Sequence, residues 1–404
     1  MSRVVYVWEL GGGYGHTAAF LPVAQQLKQH GHEVIFVLKD LQYADTLLGN
    51  DGFCYLQAPI RWPTSQTQPL AISYPGILQN AGFDEISGLY TKVKAWINLF
   101  QHLAPDLIVL DHAPGAMLAT HQLDIPRTLF GTGFFSPPKL NPLPAMRPWQ
   151  PVAEKQLVAV EAKILATINS VLHRLGAQPL KTVADLFDTE EDFLCTFSEL
   201  DHYQQRGQAK YWGPAIYQAS GIDPIWPSVG TQKIFGYLRP EYTGLEGLLQ
   251  QLRSSSWSVL MHIPGTTPAF IEKHSSANLH ISAQPLNIAA ASRDCDLAIS
   301  YGSPATMAAF LLSGKPILAL PMHLEQLLGA RNVAALGAGI CVPMDSKRPN
   351  YRALLTDLLA SGKYANAARK FAEKYAAFSP AQQAVAISQR CEALINQAHI
   401  NGKI

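Results

Sequence analysis

The chain alternates short apolar runs with stretches of helical periodicity. Residues 4–8 form an unbroken β-branched and aromatic run that stops at glycines, the mark of a buried strand entering a turn. Residues 16–30 then set Phe20, Leu21, Ala24 and Leu27 at helical spacing, with Gly31 just past the last turn. Residues 33–38 (EVIFVL) return to strand character. Strand, helix and strand in this order predict a βαβ unit, and so a parallel sheet covered by helices on both faces. The pattern recurs. Residues 107–110 predict a strand ending at Asp111, residues 113–123 a helix, and residues 128–130 another strand. The proline-rich stretch 136–149 reads as a long loop or lid.

Periodicity fades over residues 211–232, which carry prolines, glycines and two tryptophans, and a domain boundary is placed there. Strand signals resume at 233–238, 258–263, 297–300 and 317–320, with an alanine-rich helical stretch before the last. From Tyr351 onward the chain reads as helical. The organisation expected is an N-terminal domain over 1–210, a linker over 211–232 and a C-terminal domain over 233–385. The terminal helix over 386–404 is expected to pack back on the first domain. No short repeat is present; the two halves resemble each other only as α/β architecture.

Composition narrows the class. A chain of 404 residues has room for two or three domains. It is 48% hydrophobic, 15% charged and carries a net charge of +1, which argues against disorder and against a nucleic-acid footprint. Cys54, Cys195, Cys295, Cys341 and Cys391 lack metal-ligand spacing and read as reduced thiols of a cytoplasmic protein. The N-terminus lacks a signal-peptide pattern, and no run of about 20 apolar residues survives its interruptions. Peripheral membrane contact through segments such as 60–63 stays open, as does the oligomeric state.

Two glycine-rich turns carry the candidate chemistry, each on the carboxyl-end side of a strand, where open α/β sheets bind ligands. The first is Gly11-Gly12-Gly13-Tyr14-Gly15-His16. Gly13 and Gly15 allow close backbone approach to an anion at the helix start. With Ala18 and Asp40 they also satisfy a dinucleotide fingerprint, which leaves an NAD-dependent enzyme as one reading. His16, in the first helical turn, is disfavoured as an imidazolium there and suits a general base. It is also a residue able to cap its own turn. Asp111 is suited to accept from one imidazole nitrogen, or to cap the helix that follows it. His112 is a rival histidine whose side chain should point away from that of Asp111.

The second site spans 296–342. Tyr301-Gly302-Ser303-Pro304-Ala305-Thr306 turns from strand to helix and offers another helix N-terminus. Glu325 and Gln326 open a later helix with groups suited to sugar hydroxyls. Asp294-Cys295-Asp296 has a metal-binding spelling, but it precedes a strand and Asp296 reads as a strand-start residue.

These residues resemble the donor-binding signature of the UDP-glycosyltransferase superfamily, HGGxGT, then G-x-P, P, DQ and GxG. The matching positions are Tyr301 to Thr306, Gly314-Lys315-Pro316, Pro321, Glu325-Gln326 and Gly337-Ala338-Gly339. Gly15-His16, Gly31-His32-Glu33-Val34, and Asp111 with Ile125-Pro126 are similar to the family's first half. The likeness is greatest to bacterial macrolide- and lipid-type enzymes. It implies the GT-B fold, two Rossmann-like domains with parallel sheets facing across a cleft, and an inverting transferase that needs no metal or further cofactor. In that reading a UDP- or dTDP-type sugar is the co-substrate and an apolar small molecule or lipid is the acceptor. His16 is the base, assisted by Asp111. Gly13, Gly15, Thr266, Tyr301, Gly302, Ser303, Ala305, Thr306, Glu325 and Gln326 hold the donor. Tyr301 stands where the family has its phosphate-binding histidine, Ser303 and Ala305 replace glycines, and Glu325 replaces aspartate. These departures keep open a degenerate nucleotide-sugar binder, or a partner of another transferase.

Overall fold

The computed structural model describes residues 1–13, 15–60, 69–216 and 221–402. Tyr14 and the greater part of the 60–63 segment therefore lie outside the described residues. The chain divides into two units. The first comprises Met1–Phe197, Tyr203–Ala215 and Ser379–Ile404, the second Ser198–His202 and Ile216–Phe378.

The first unit begins with β1 (Arg3–Trp8), α1 (Gly15–Gln29), β2 (Glu33–Leu38) and β3 (Cys54–Gln57). It continues with α2 (Tyr74–Leu78), α3 (Ile86–Leu103), β4 (Leu107–Asp111), α4 (Pro114–Thr120), β5 (Arg127–Gly131), α5 (Glu154–Arg174) and β6 (Glu191–Leu194). All six strands are parallel, in the order β3-β2-β1-β4-β5-β6. Val4, Val5 and Val7 on β1 and the whole of β4 are buried, as central strands covered on both faces must be.

The second unit holds β7 (Lys233–Tyr237), α6 (Leu245–Arg253), β8 (Ser258–His262), α7 (Pro268–His274), β9 (Leu279–Ser282) and α8 (Ile288–Asp294). Then follow β10 (Leu297–Ser300), α9 (Pro304–Leu312), β11 (Ile317–Ala319), α10 (Leu324–Ala335), β12 (Gly339–Cys341), α11 (Tyr351–Ala360) and α12 (Gly362–Lys374). Its parallel sheet runs β12-β11-β10-β7-β8-β9. Renumbered within the unit, this is the same winding as the first sheet. In each, chain direction across the sheet reverses beside the first strand, between β1 and β4 and between β7 and β10. Such switch points open a crevice at the carboxyl ends of the strands.

The last helix, α13 (Pro380–Ile400), belongs to the first unit and starts earlier than the 386 expected. Gln383 donates to the Trp212 carbonyl at 3.1 Å, Arg390 pairs with Glu191 at 2.6 Å and His30 with Glu392 at 2.6 Å. The first unit runs to Ala215, inside the 211–232 segment.

The 136–149 stretch is a loop, one of the two forms expected, and it is pinned. Leu143 and Met146 are buried, Leu143 N donates to Glu161 at 2.7 Å, and Met146 N donates to the Ile72 carbonyl at 2.9 Å. The helix expected over 113–123 is also shorter, ending at Thr120. Among the described residues no helix is long and apolar enough to cross a membrane.

Candidate active site

At the first switch point β1 and β4 are in register, with Trp8 opposite Asp111. Asp111 closes β4 and His16 sits in the first turn of α1, so two residues far apart in sequence emerge side by side. His16 Nδ1 lies 2.9 Å from Asp111 Oδ2 and 3.0 Å from Oδ1. A carboxylate only accepts, so Nδ1 carries the hydrogen and Nε2 is the lone-pair nitrogen. The Asp111 side chain is 3% exposed and that of His16 16%, so the carboxylate is sealed while the imidazole keeps an open edge.

Three neighbours shape that edge. The Trp8 indole stacks on the His16 ring at 5.1 Å, and Phe135 leans against it at 5.7 Å. Gly11, at φ +96°, passes directly beside Nε2: a Cβ there would stand 2.5 Å from that nitrogen. The Gly11 carbonyl accepts from Lys39. Asp40, the candidate ribose-binding acid of the dinucleotide reading, instead accepts from Gln42 N at 2.9 Å in its own turn.

Asp111 does not cap α4. That work falls to Glu9, which follows β1, is buried, and accepts from Gly115 N at 2.7 Å and Ala116 N at 3.2 Å. Its other oxygen takes Lys92 of α3 at 2.6 Å, both side chains being at most 5% exposed. His112 does turn away from Asp111. Its backbone is left-handed at φ +43°, and its ring lies flat on Phe135 at 3.5 Å. Burial, then the charges of His16 and Lys39, hold its imidazole well below the usual histidine range.

In the second unit β7 and β10 bring Tyr237 opposite Ser300. Tyr301 follows, its ring edge-on to Tyr237 at 5.1 Å, with the Arg239 guanidinium 5.9 Å from the ring centre. Tyr237 also leans on His262 at 4.8 Å, and that imidazole is lowered by burial and by the Arg239 charge. Gly302 turns the chain at φ +92°, where a Cβ would meet the Gln326 side chain at 2.9 Å. Ser303 caps α9 without a side-chain hydrogen bond, Pro304 opens the helix, Ala305 follows and Thr306 is buried.

The remaining donor candidates are placed unevenly. Gly13 sits in the bend before α1 and Gly15 is its exposed first residue, so both belong to the first unit with His16. Thr266 turns its hydroxyl back onto the Ile263 carbonyl at 2.8 Å, and it is Thr267 that caps α7. Glu325 opens α10, and Gln326 accepts from Met322 N at 2.8 Å, which bends the loop onto itself. Asp296 accepts from Lys233 N and Asp294 from the Trp226 indole, so the acidic triplet serves two separate contacts. Gly11 was legible as part of the first glycine-rich turn, whereas Tyr6, Arg239 and His262 were not singled out; the shared strand-end position of the last two was the signal available.

No protein-family model matches the sequence. The chain is 22% identical over 399 residues to a PGL/p-HBAD biosynthesis glycosyltransferase of Mycobacterium tuberculosis, covering 93% of this chain and 89% of that one. In structure it is similar to the spinosyn rhamnosyltransferase SpnG, with a TM-score of 0.68 and 20% identity over 97% of this chain and 100% of the other. The chain has the GT-B fold. A second GT-B structure, the glycosyltransferase VinC in complex with dTDP, superposes with a TM-score of 0.68 at 14% identity, over 96% of this chain and all of its own. Likeness at this level of identity, over 96–97% of the chain, shows the fold that these structures share.

Proposed function

We propose that the protein transfers a sugar, with inversion, from a nucleoside-diphosphate sugar to a hydroxyl of an apolar acceptor. The observation that carries this reading is the His16–Asp111 pair at the switch point of a GT-B first domain. The acceptor hydroxyl meets His16 at Nε2, beside Gly11, which has no side chain of its own to fill that space. His16 takes the proton as the oxygen attacks the anomeric carbon, and the nucleoside diphosphate leaves. Asp111 holds the tautomer and stabilises the imidazolium, as in other carboxylate–histidine pairs. Trp8 and Phe135 wall the reactive edge with aromatic surface, which favours a ring-bearing or lipid-like acceptor.

In the second unit the turn from Tyr301 to Thr306 presents backbone N–H groups to the diphosphate. Arg239, beside Tyr301, adds the positive charge that a chain of net charge +1 does not supply generally. Glu325 is left for the sugar. A thymidine or uridine nucleotide is the expected carrier, thymidine diphosphate being the ligand of the VinC structure. Tyr301 also supports a second reading, in which the donor binds and is not transferred, because its ring occupies the start of the phosphate turn.

One experiment separates the two. Binding of thymidine and uridine diphosphates is measured calorimetrically, and transfer is followed by mass spectrometry with hydrophobic alcohols and phenols as acceptors. Wild type should bind and transfer, with NMR of the product giving the inverted anomer. His16→Ala should bind the nucleotide unchanged and lose transfer about 1,000-fold, within the range general-base removal covers. Binding without transfer by wild type selects the second reading, and full activity of His16→Ala removes His16 as the base.

A further inference from the structure

A tyrosine hydroxyl lies in the most buried part of the first sheet. β1 reads Arg-Val-Val-Tyr-Val-Trp, and every other side chain from Val4 to Val7 is aliphatic. Tyr6 is fully buried, at the centre of the sheet between Phe36 of β2 and Val109 of β4. A phenylalanine would fill that space without a polar atom, and a buried hydroxyl costs stability unless it is paired. This one is paired. Tyr6 Oη donates to Asp111 Oδ2 at 2.7 Å, the same oxygen that lies 2.9 Å from His16 Nδ1.

Strand alternation gives the arrangement its logic. Tyr6 and Trp8 are two residues apart, so they face the same side of the sheet. That side carries α1, because the Tyr6 ring stacks on Phe20 of this helix at 4.7 Å and 11°. The Trp8 ring stacks on His16 of the same helix. One strand face therefore holds the pair at both ends, Tyr6 at the carboxylate and Trp8 at the imidazole.

We infer that Tyr6 is a positioning residue of this site: its hydroxyl fixes the rotation of the Asp111 carboxylate toward His16 and lowers the affinity of the imidazole for a proton. The sign follows from charge. The hydrogen bond is strongest while His16 is neutral and the pair carries a full negative charge. It weakens once the imidazolium shares that charge. The hydroxyl thus favours the neutral imidazole, the form able to accept a proton from a ligand hydroxyl. Among the described residues, the other titratable groups coupled to this cluster are His112 after β4, Lys39 after β2 and Cys195 after β6, which lies near Tyr6. All three are unaltered when only the hydroxyl is removed. The kinetic consequence rests on the role proposed for His16; the effect on the imidazole does not.

The test is therefore made first on the protein without ligand. The His16 ring is titrated by NMR in wild type and in Tyr6→Phe, with His16→Gln to assign the signal. The His16 pKa should rise by about 0.5 or more in Tyr6→Phe, the scale of one lost hydrogen bond to an ionised group. Replacing Tyr6 with 3-fluorotyrosine, a stronger donor of nearly the same shape, should move it the opposite way and keeps the question open to measurement if Tyr6→Phe folds poorly. Phe20→Leu, which loosens the ring but keeps the hydroxyl, should leave the titration in place. In transfer assays the acid limb of kcat/KM should shift upward in Tyr6→Phe with donor KM constant. Identical His16 titrations in wild type, Tyr6→Phe and the fluorinated protein would overturn the inference. An absence of transfer by wild type would instead overturn the functional reading and leave the titration result standing.

Discussion

The two switch points occupy the same place in two sheets of the same winding, yet they are built differently. At the first, side chains hold side chains: Tyr6 on Asp111, Asp111 on His16, Trp8 on the imidazole, and Glu9 with Lys92 under the loops. At the second, backbone does most of the holding. Gly302 turns, its N–H donates to the Ser300 hydroxyl at 3.1 Å, and Gln326 closes its own loop, while Tyr237, His262 and Tyr301 pack as rings. A site that moves a proton needs atoms fixed to within a few tenths of an ångström. A site that cradles an anion works with N–H groups at a helix start and a nearby cation. The difference teaches which substitutions each region tolerates.

The largest effect is expected at the centre of the first region. Asp111→Asn keeps the shape but lets an amide N–H face Nδ1, which moves the imidazole hydrogen to Nε2. Transfer measured at saturating donor should fall about 1,000-fold or more, with nucleotide affinity unchanged. A mild loss would mean that the first region does not depend on its side-chain pairing.

Next comes Gly11→Ala. The new Cβ must sit within van der Waals overlap of Nε2 on a left-handed backbone, so transfer should drop about 100-fold while thermal unfolding shows a cost of about 1–2 kcal/mol. Unimpaired turnover would show that the hydroxyl reaches His16 from another side.

In the second region the expected loss is smaller and of another kind. Arg239→Gln should weaken nucleoside-diphosphate binding by about 10-fold and flatten its salt dependence, with kcat little changed. Equal affinity for the nucleoside and its diphosphate in wild type would remove the phosphate role of this region.

The smallest effect concerns acid. The folded pKa of His112 is depressed by burial and by neighbouring charge, so the fold favours its neutral form. Its contribution to stability is complete above the unfolded value near 6.5 and is lost as pH falls below it, at no more than about 1.4 kcal/mol per pH unit. His262 adds the same sign in the second unit. Melting points from pH 7.5 to 5.5 should decline, and His112→Asn, which suits the left-handed backbone, should make the decline shallower.

Much of the architecture was legible along the chain because central strands are apolar on both faces. β1, β2, β4, β7, β8, β10 and β11 announce themselves in this way. The edge strands β3, β6, β9 and β12 do not: Cys54–Gln57, for one, is partly exposed and pairs only with β2. Helices α3 and α5 were passed over although α3 buries Leu89, Val93, Trp96, Ile97 and Phe100 at helical spacing. How the proline-rich loop is held was not legible, because composition does not reveal Glu161 accepting from Leu143 N, or Arg206 binding the Ser136 and Gly133 carbonyls.

By itself, the sequence determined two parallel α/β halves, a glycine-rich turn in each, His16 at a helix start and Asp111 at a strand end. Local periodicity and turn chemistry suffice for that. Tertiary structure alone decided that Trp8 stands opposite Asp111, that the His16 tautomer is set by a carboxylate 95 residues away in sequence, and that Tyr6 binds the same oxygen. Register, burial and the shared use of one acceptor arise only when strands pair, because each depends on a partner that no local stretch of chain contains.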